Sequence, residues 1–281
     1  MSKRSRERQL AKLAARRAAE RRRRRRRRQL VAGIAAALVV VAAGMGWVAL
    51  GGGGGGPAGR PSPTPTPSPG TRTGTVEPGA APRRVACGGR VPPAAGRSKP
   101  RFSAPAPDAI DPTARYVATI RTSCGDIVVR LLADRAPRTV NSFVFLAREG
   151  FYDGTFVHRL DTSIDVIQAG DPTGTGSGGP GYTIPDELTG EERYGPGTVA
   201  MANSGPGTGG SQFFIIAGPD GHRLDDNPAY TVFGRVIRGL DVAERILELP
   251  VRDPEAARAG DLSGQRPKLA IYIERITVRE R

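Results

Sequence analysis

From residue 116 onward the chain alternates short apolar runs with polar breaks, and the spacing of those runs predicts its elements. YVATIRT (116–122) and IVVRLL (127–132) are β-branched stretches separated by SCGD, which reads as a hairpin. In RTVNSFVFLAREG, Val140, Phe143, Val144, Leu146 and Ala147 recur at helical spacing; Pro137 suits a first helical position and Gly150 a stop. TFVHRL, DVIQAGD, GTVAMA, QFFII and YTVFGRV follow as short strand candidates, DVAERILEL (241–249) reads as a second helix, and LAIYIERITV (269–278) alternates as a strand. Many short strands with only two helices predict a mainly β fold, a closed antiparallel barrel with helices over its openings.

The first third of the chain has a different texture. Residues 30–50, LVAGIAAALVVVAAGMGWVAL, contain no charge, and 21 residues match the thickness of a bilayer core. Eight arginines at 21–28 precede the segment, and flanking basic residues stay on the cytoplasmic side. The expectation is a basic cytoplasmic tail at 1–29, a transmembrane helix at 30–50 and an extracytoplasmic remainder on a single-pass cell-membrane protein. A cleaved signal peptide is the competing reading, but its apolar region would be shorter and end in a small-residue cleavage site.

Charge supports the division. The formal net charge is +15, of which residues 1–30 carry +13. A folded domain that binds nucleic acid presents its own basic face, and the remaining 251 residues are nearly neutral. No nucleic-acid partner is expected of the folded part, and topology or contact with anionic lipid accounts for the arginine run.

Six glycines and PAGRPSPTPTPSPGTRTGT follow the apolar segment, a composition that favours flexible and extended chain. We read 51–112 as a disordered Gly/Pro-rich linker and 113–281 as the folded domain. Cys87 lies in that linker and Cys124 at the SCGD turn; they form no CxxC pair. Outside the cytoplasm a disulfide between them is allowed, and two free thiols are the alternative.

Familiar catalytic templates fail. Gly174 to Gly179 matches GxGxxG, but Pro180-Gly181 follow where a dinucleotide site needs a helix. No GxSxG elbow occurs, and with only two histidines, His158 and His222, a zinc cluster or a triad is poorly supplied. No metal and no cofactor are expected. What remains is an arginine among amides and apolar groups: Arg159, Gln168, Met201-Ala202-Asn203, and Gln212 with Phe214, which alternation places on one face of a strand. Taken singly, Arg159 paired with a carboxylate and the aromatics in a core would be the plainer reading.

The combination VHR, IQAGD, MANSGPGTGGSQFFI and YTVFGRV, in that order and approximate spacing, resembles the cyclophilin family of peptidyl-prolyl cis/trans isomerases. The resemblance covers residues 116–281 and implies an eight-stranded antiparallel barrel capped by two helices. It further implies a site in which Arg159 and Gln212 are catalytic, Arg159 stabilising the twisted prolyl amide. Val166, Phe214 and Leu224 would line the proline pocket, Gln168 would orient Arg159, and backbone at Ala202 and Asn203 would hold an extended peptide. Tyr230 stands where many members have histidine, and His158 is read as structural. Three departures bear on the pocket. LDTSIDVI between Arg159 and Gln168 is one residue longer than the usual spacing and puts Asp165 where the family commonly has phenylalanine; Val166 is smaller than the usual methionine; Arg223 replaces a frequent tryptophan, which puts tight cyclosporin binding in doubt. The function implied is proline isomerisation in exported proteins by a membrane-tethered monomer acting on proline-containing polypeptides. A peptide-binding scaffold or chaperone module with reduced catalysis is the alternative.

Overall fold

The structure, a computed structural model, describes residues 69–78 and 84–281. The expected cytoplasmic tail and membrane segment lie outside the described residues. Among those residues, no helix is long and apolar enough to cross a membrane.

Among the described residues, ten strands, β1 (Arg72–Val76), β2 (Lys99–Phe102), β3 (Tyr116–Thr122), β4 (Gly125–Leu131), β5 (Arg159–Asp161), β6 (Val166–Ala169), β7 (Thr198–Met201), β8 (Phe213–Ile216), β9 (Val232–Arg238) and β10 (Ile273–Glu280), carry the fold. The α-helices among the described residues are α1 (Pro137–Arg148), α2 (Leu240–Leu247) and the short α3 (Pro254–Arg258). Eight strands form one antiparallel sheet in the order β10-β3-β4-β9-β7-β8-β6-β5, while β1 and β2 pair separately. This corrects the closed barrel expected from the sequence: the ladder is open between its end strands β5 and β10. The reason is local. β5 has only three residues, and across the opening a single bridge, Phe156 to Tyr272, joins the segments that flank the two end strands. The hairpin, both long helices and the strand order of burial follow the apolar periodicity, and β3 buries Tyr116, Ala118, Ile120 and Thr122 in strict alternation.

β6, β7 and β8 do not alternate, because every residue in them is buried. The two faces go to different places. Ile167, Ala169, Val199, Met201, Phe213 and Ile215 join the main core with α1 and α2. Val166, Ala200, Phe214 and Ile216 join a second cluster with Tyr194 and Val232, on the opposite face of the sheet. That second cluster is where the candidate site lies. On the core side, Phe143 of α1 meets Tyr152, Phe213 and Phe233 with ring centroids 5.3, 5.5 and 5.2 Å away. Ala136 has no side chain to cap α1, and the carboxylate of Glu187 instead accepts from the Arg138 and Thr139 amides at 3.0 and 2.9 Å.

Residues 84–112 are packed rather than free, so the folded unit reaches beyond the linker boundary expected at 112. Val85 bridges Ala270, Ala86 and Phe102 are buried, and Phe102 packs edge-on to Phe145 at 4.8 Å. The Lys99 ammonium donates to the Asp153 carbonyl, and Asn141 of α1 holds the backbone at Ala109 and Ala106. Cys87 and Cys124 are joined in a disulfide, their Cα atoms 5.1 Å apart, and Cys124 is buried, not accessible as its turn position suggests. Apart from Ala86 and Phe102, few apolar residues of this segment are buried. It borrows the domain's core.

Candidate active site

Strand register builds the site. Arg159 of β5 lies opposite Gln168 of β6, Gln168 opposite Phe214 of β8, Phe214 opposite Ala200 of β7, and Ala200 opposite Val232 of β9. Directly opposed residues share a face, so one row across five strands carries an arginine, an amide and three apolar groups. The next row, Asp161, Val166 and Ile216, stands two residues along on the same face.

The Arg159 guanidinium is a quarter exposed and anchored at each nitrogen. Nη1 donates to Gln168 Oε1 at 3.0 Å, Nη2 to Asp161 Oδ2 at 2.6 Å, and Nε to Gln265 Oε1 at 2.6 Å. A relay of amides continues from it: Gln168 Nε2 donates to Gln212 Oε1 at 2.9 Å, and Gln212 Nε2 to the carbonyls of Gly176 and Gly178, both at 2.9 Å. Donor and acceptor ends alternate along the chain, so each amide's orientation is set by its neighbours.

The Gly-rich loop that ends this relay is ordered by Asp171. Its carboxylate accepts from the Thr173 amide and hydroxyl at 2.7 and 2.8 Å and from the Gly176 and Gly178 amides at 2.6 and 3.1 Å. Although burial opposes it, these bonds hold the Asp171 pKa below the usual carboxylate value. A Cβ at Gly178 would stand 2.0 Å from Asp171 Oδ1, so only glycine fits there. No helix follows the loop, as expected of a GxGxxG match out of context. Beside it lies an open cavity of about 650 Å³ lined by Arg101, Thr175, Gly178 and Tyr182.

Beyond Gln168 the face is apolar. Val166 and Phe214 are packed with the half-buried Leu224, Tyr230, Ala202 and Ile164. Tyr230 stands edge-on to Phe214 at 5.2 Å. Its backbone is clamped by the buried Tyr194, whose hydroxyl donates to the Tyr230 carbonyl at 2.8 Å and accepts from its amide at 3.0 Å. Burial raises the Tyr194 pKa to about 12. The Ala202 amide is engaged by the Gln212 carbonyl at 2.9 Å, so its carbonyl is the backbone group it can offer a peptide. Asn203 spends its side-chain amide on the Ala229 carbonyl at 2.8 Å. All nine residues expected at the site therefore lie on or beside one face.

The departures in the pocket are linked. Asp165 does not occupy an apolar position in the wall. It ends the four-residue turn 162–165 that joins β5 to β6, with φ at 51°, and its carboxylate accepts from the Asp220 amide at 2.7 Å. That bond caps the 3-10 turn Pro219–Leu224, which ends in the pocket residue Leu224. Arg223 in the same turn donates to the Ser163 carbonyl at 2.7 Å. Asp165 and Arg223 thus tie the β5–β6 turn to the 3-10 turn, and Ile164 is left to face the cluster.

His158 is buried, and burial holds its pKa down to about 4 against the opposing pull of Asp171. It is neutral at physiological pH, consistent with a structural role. Sequence reading missed Asp161, Gln265, Tyr194 and Ile164. Asp161 had a signal, since period-2 spacing from Arg159 puts it on the same face. Gln265 had none, because it arrives from about a hundred residues away in a segment without periodicity.

The family model described as "Cyclophilin type peptidyl-prolyl cis-trans isomerase/CLD" matches residues 117–278, more than half of the chain. The chain belongs to the cyclophilin family. Peptidyl-prolyl cis-trans isomerase A of Mycobacterium tuberculosis is 39% identical over 183 residues, spanning 59% of this chain and 94% of that protein. The peptidyl-prolyl cis-trans isomerase ppi1 of Schizosaccharomyces pombe is 44% identical over 131 residues, 45% of this chain and 82% of that one. Among solved structures, a cyclophilin-type isomerase from Cryptosporidium parvum superposes with a TM-score of 0.51 at 29% identity, covering 59% of this chain and 98% of its own. A second crystal structure of that protein was obtained in the presence of the dipeptide Ala-Pro, with a TM-score of 0.50. As a cyclophilin, the chain has peptidyl-prolyl cis-trans isomerase activity as its function.

Proposed function

We propose that the chain is a membrane-tethered cyclophilin that isomerises Xaa-Pro bonds in exported polypeptides, with Arg159 as its catalytic residue. The observation that carries the mechanism is the row Arg159, Gln168, Phe214: a fixed guanidinium beside an apolar platform. The barrier to rotation, about 18–20 kcal/mol, is amide resonance. Twisting the bond returns a lone pair to the proline nitrogen and makes it an acceptor. A guanidinium suits that state because it donates without losing its proton. Arg159 then acts by preorganised electrostatics, with no proton transfer. Val166, Phe214, Leu224 and Tyr230 take the proline ring, Gln168 orients Arg159, and Gln212 and the backbone at Ala202 and Asn203 hold the flanking peptide.

Export rests on two features. The arginines at 21–28 precede the uncharged residues 30–50, and the Cys87–Cys124 disulfide belongs to an oxidising compartment. A second reading, a peptide-binding module of reduced turnover, is favoured by one contact: the Asp161 carboxylate offsets part of the charge Arg159 would bring to bear. Two assays test these readings. Protease-coupled turnover of an Ala-Pro peptide above background supports the enzyme, and background rates with retained peptide affinity support the module. Carbonate extraction with protease treatment of intact cells tests topology; a chain extracted by carbonate or protected from external protease contradicts the tethered form.

A further inference from the structure

Residues 251–268, between α2 and β10, form a folded excursion rather than an open loop. Val251 bridges Pro267, Arg252 donates its amide to the Arg266 carbonyl at 2.8 Å, and Lys268 returns one to Pro250 at 2.8 Å. Asp253 caps α3 through bonds of 3.0 Å to the Glu255 and Ala256 amides. A Cβ on Gly264 would stand 2.6 Å from the Ala257 nitrogen, so the returning segment lies against the helix. The excursion delivers one side chain, Gln265, into the site, and Gln265 is only 1% exposed.

Both ends of its amide are engaged. Oε1 accepts from Arg159 Nε at 2.6 Å, Nε2 faces the Ala257 carbonyl at 3.4 Å, and the Gln265 backbone carbonyl takes the Leu160 amide at 2.8 Å. The neighbouring Arg266 reaches the Thr175 carbonyl of the Gly-rich loop at 3.2 Å. We propose that Gln265 is a positioning residue for Arg159, and that the excursion 251–268 is part of the isomerase site. The inference rests on Arg159 being the catalytic arginine.

The chemistry separates Gln265 from the other two anchors. A guanidinium has five N–H groups in one plane. Gln168 and Asp161 each take one from the Nη pair, leaving one on each for the substrate, and both still allow the plane to tilt. Gln265 takes the single Nε–H and fixes the plane. It does so as a neutral acceptor, so it orients the cation without cancelling its charge, which Asp161 does in part.

In the full chain, Gln265→Leu keeps volume and removes the acceptor, while Gln265→Glu keeps an acceptor. The expected result for Gln265→Leu is a fall in kcat of roughly tenfold with KM within about twofold, since the loss is one bond to a charged group. The Arg159 15Nε–1Hε resonance should shift and broaden. Gln265→Glu should restore the resonance and most of the rate. Wild-type kcat in Gln265→Leu, or an unmoved Arg159 resonance in a variant that has merely lost stability, overturns the proposal. If Gln265→Leu does not fold, a Gln265→Glu resonance as broad as that of Gln265→Met overturns it equally. Arg159→Ala separates the two failures. A slow Arg159→Ala with a fast Gln265→Leu sinks this inference alone, whereas a fast Arg159→Ala sinks the catalytic reading beneath it.

Discussion

Asp161 Oδ2 lies 2.6 Å from Arg159 Nη2, a carboxylate on the same strand face as the guanidinium and itself buried. A salt bridge in the site both orients Arg159 and weakens its field. The same carboxylate is fixed from behind, since Oδ1 accepts from the Ser163 amide and hydroxyl at 3.0 and 2.6 Å. Asp161→Ala should therefore lower kcat/KM by about tenfold, the size of a lost charge-assisted bond. Steady-state kinetics check it; an increase in rate would mean that Asp161 acts mainly as a brake on the arginine.

The disulfide closes a separation of 37 residues and pins the segment carrying Phe102 to the domain. Its loss should cost about 3–4 kcal/mol, which for a unit of this size lowers the midpoint by on the order of 10 °C. Thermal unfolding with and without reductant, and of Cys87→Ser, checks the shift.

His158 is neutral when folded and protonates only near pH 4, against an ordinary value of 6.5. In the window between, the unfolded chain binds the proton and the folded one does not, so stability falls as pH falls from 6.5 to 4, by on the order of 3 kcal/mol. Above 6.5 His158 contributes no slope. Urea unfolding across this range should show the loss in the wild type and a shallower one in His158→Asn. Turnover of the folded protein should be flat over the same range, because the proposed mechanism transfers no proton.

Tyr194→Phe removes the hydroxyl that satisfies both backbone groups of Tyr230. We expect a cost of about 1–3 kcal/mol and a raised KM, since Tyr230 forms the pocket wall against Phe214. A variant of unchanged stability and KM would mean that Tyr194 does no more than fill space.

Where the chain's local pattern and its packing agree, the sequence was readable. β3 alternates because one face is buried and the other partly exposed, and α1, although buried all round over residues 139–147, keeps its largest apolar groups at helical spacing. The motifs on β5, β6 and β8 placed Arg159, Gln168, Gln212 and Phe214 together, since register carries period-2 neighbours onto one face. Three features were hidden for physical reasons. The β5–β10 opening depends on strand length, which apolar runs overestimate. Residues 84–112 look like linker because their few apolar groups, Ala86 and Phe102, are buried by another part of the chain. Asp165 reads as a pocket substitution until its place in the β5–β6 turn shows its carboxylate bonded to the Asp220 amide instead.

In the proposed mechanism Arg159 stabilises the twisted prolyl amide. Exchange NMR on an Ala-Pro peptide at saturating concentration, with full-length wild type and Arg159→Ala, tests it most directly. Cis/trans exchange should be slowed by about a hundredfold or more in the variant, with peptide affinity within a few-fold of wild type. Equal exchange rates in the two proteins would contradict it.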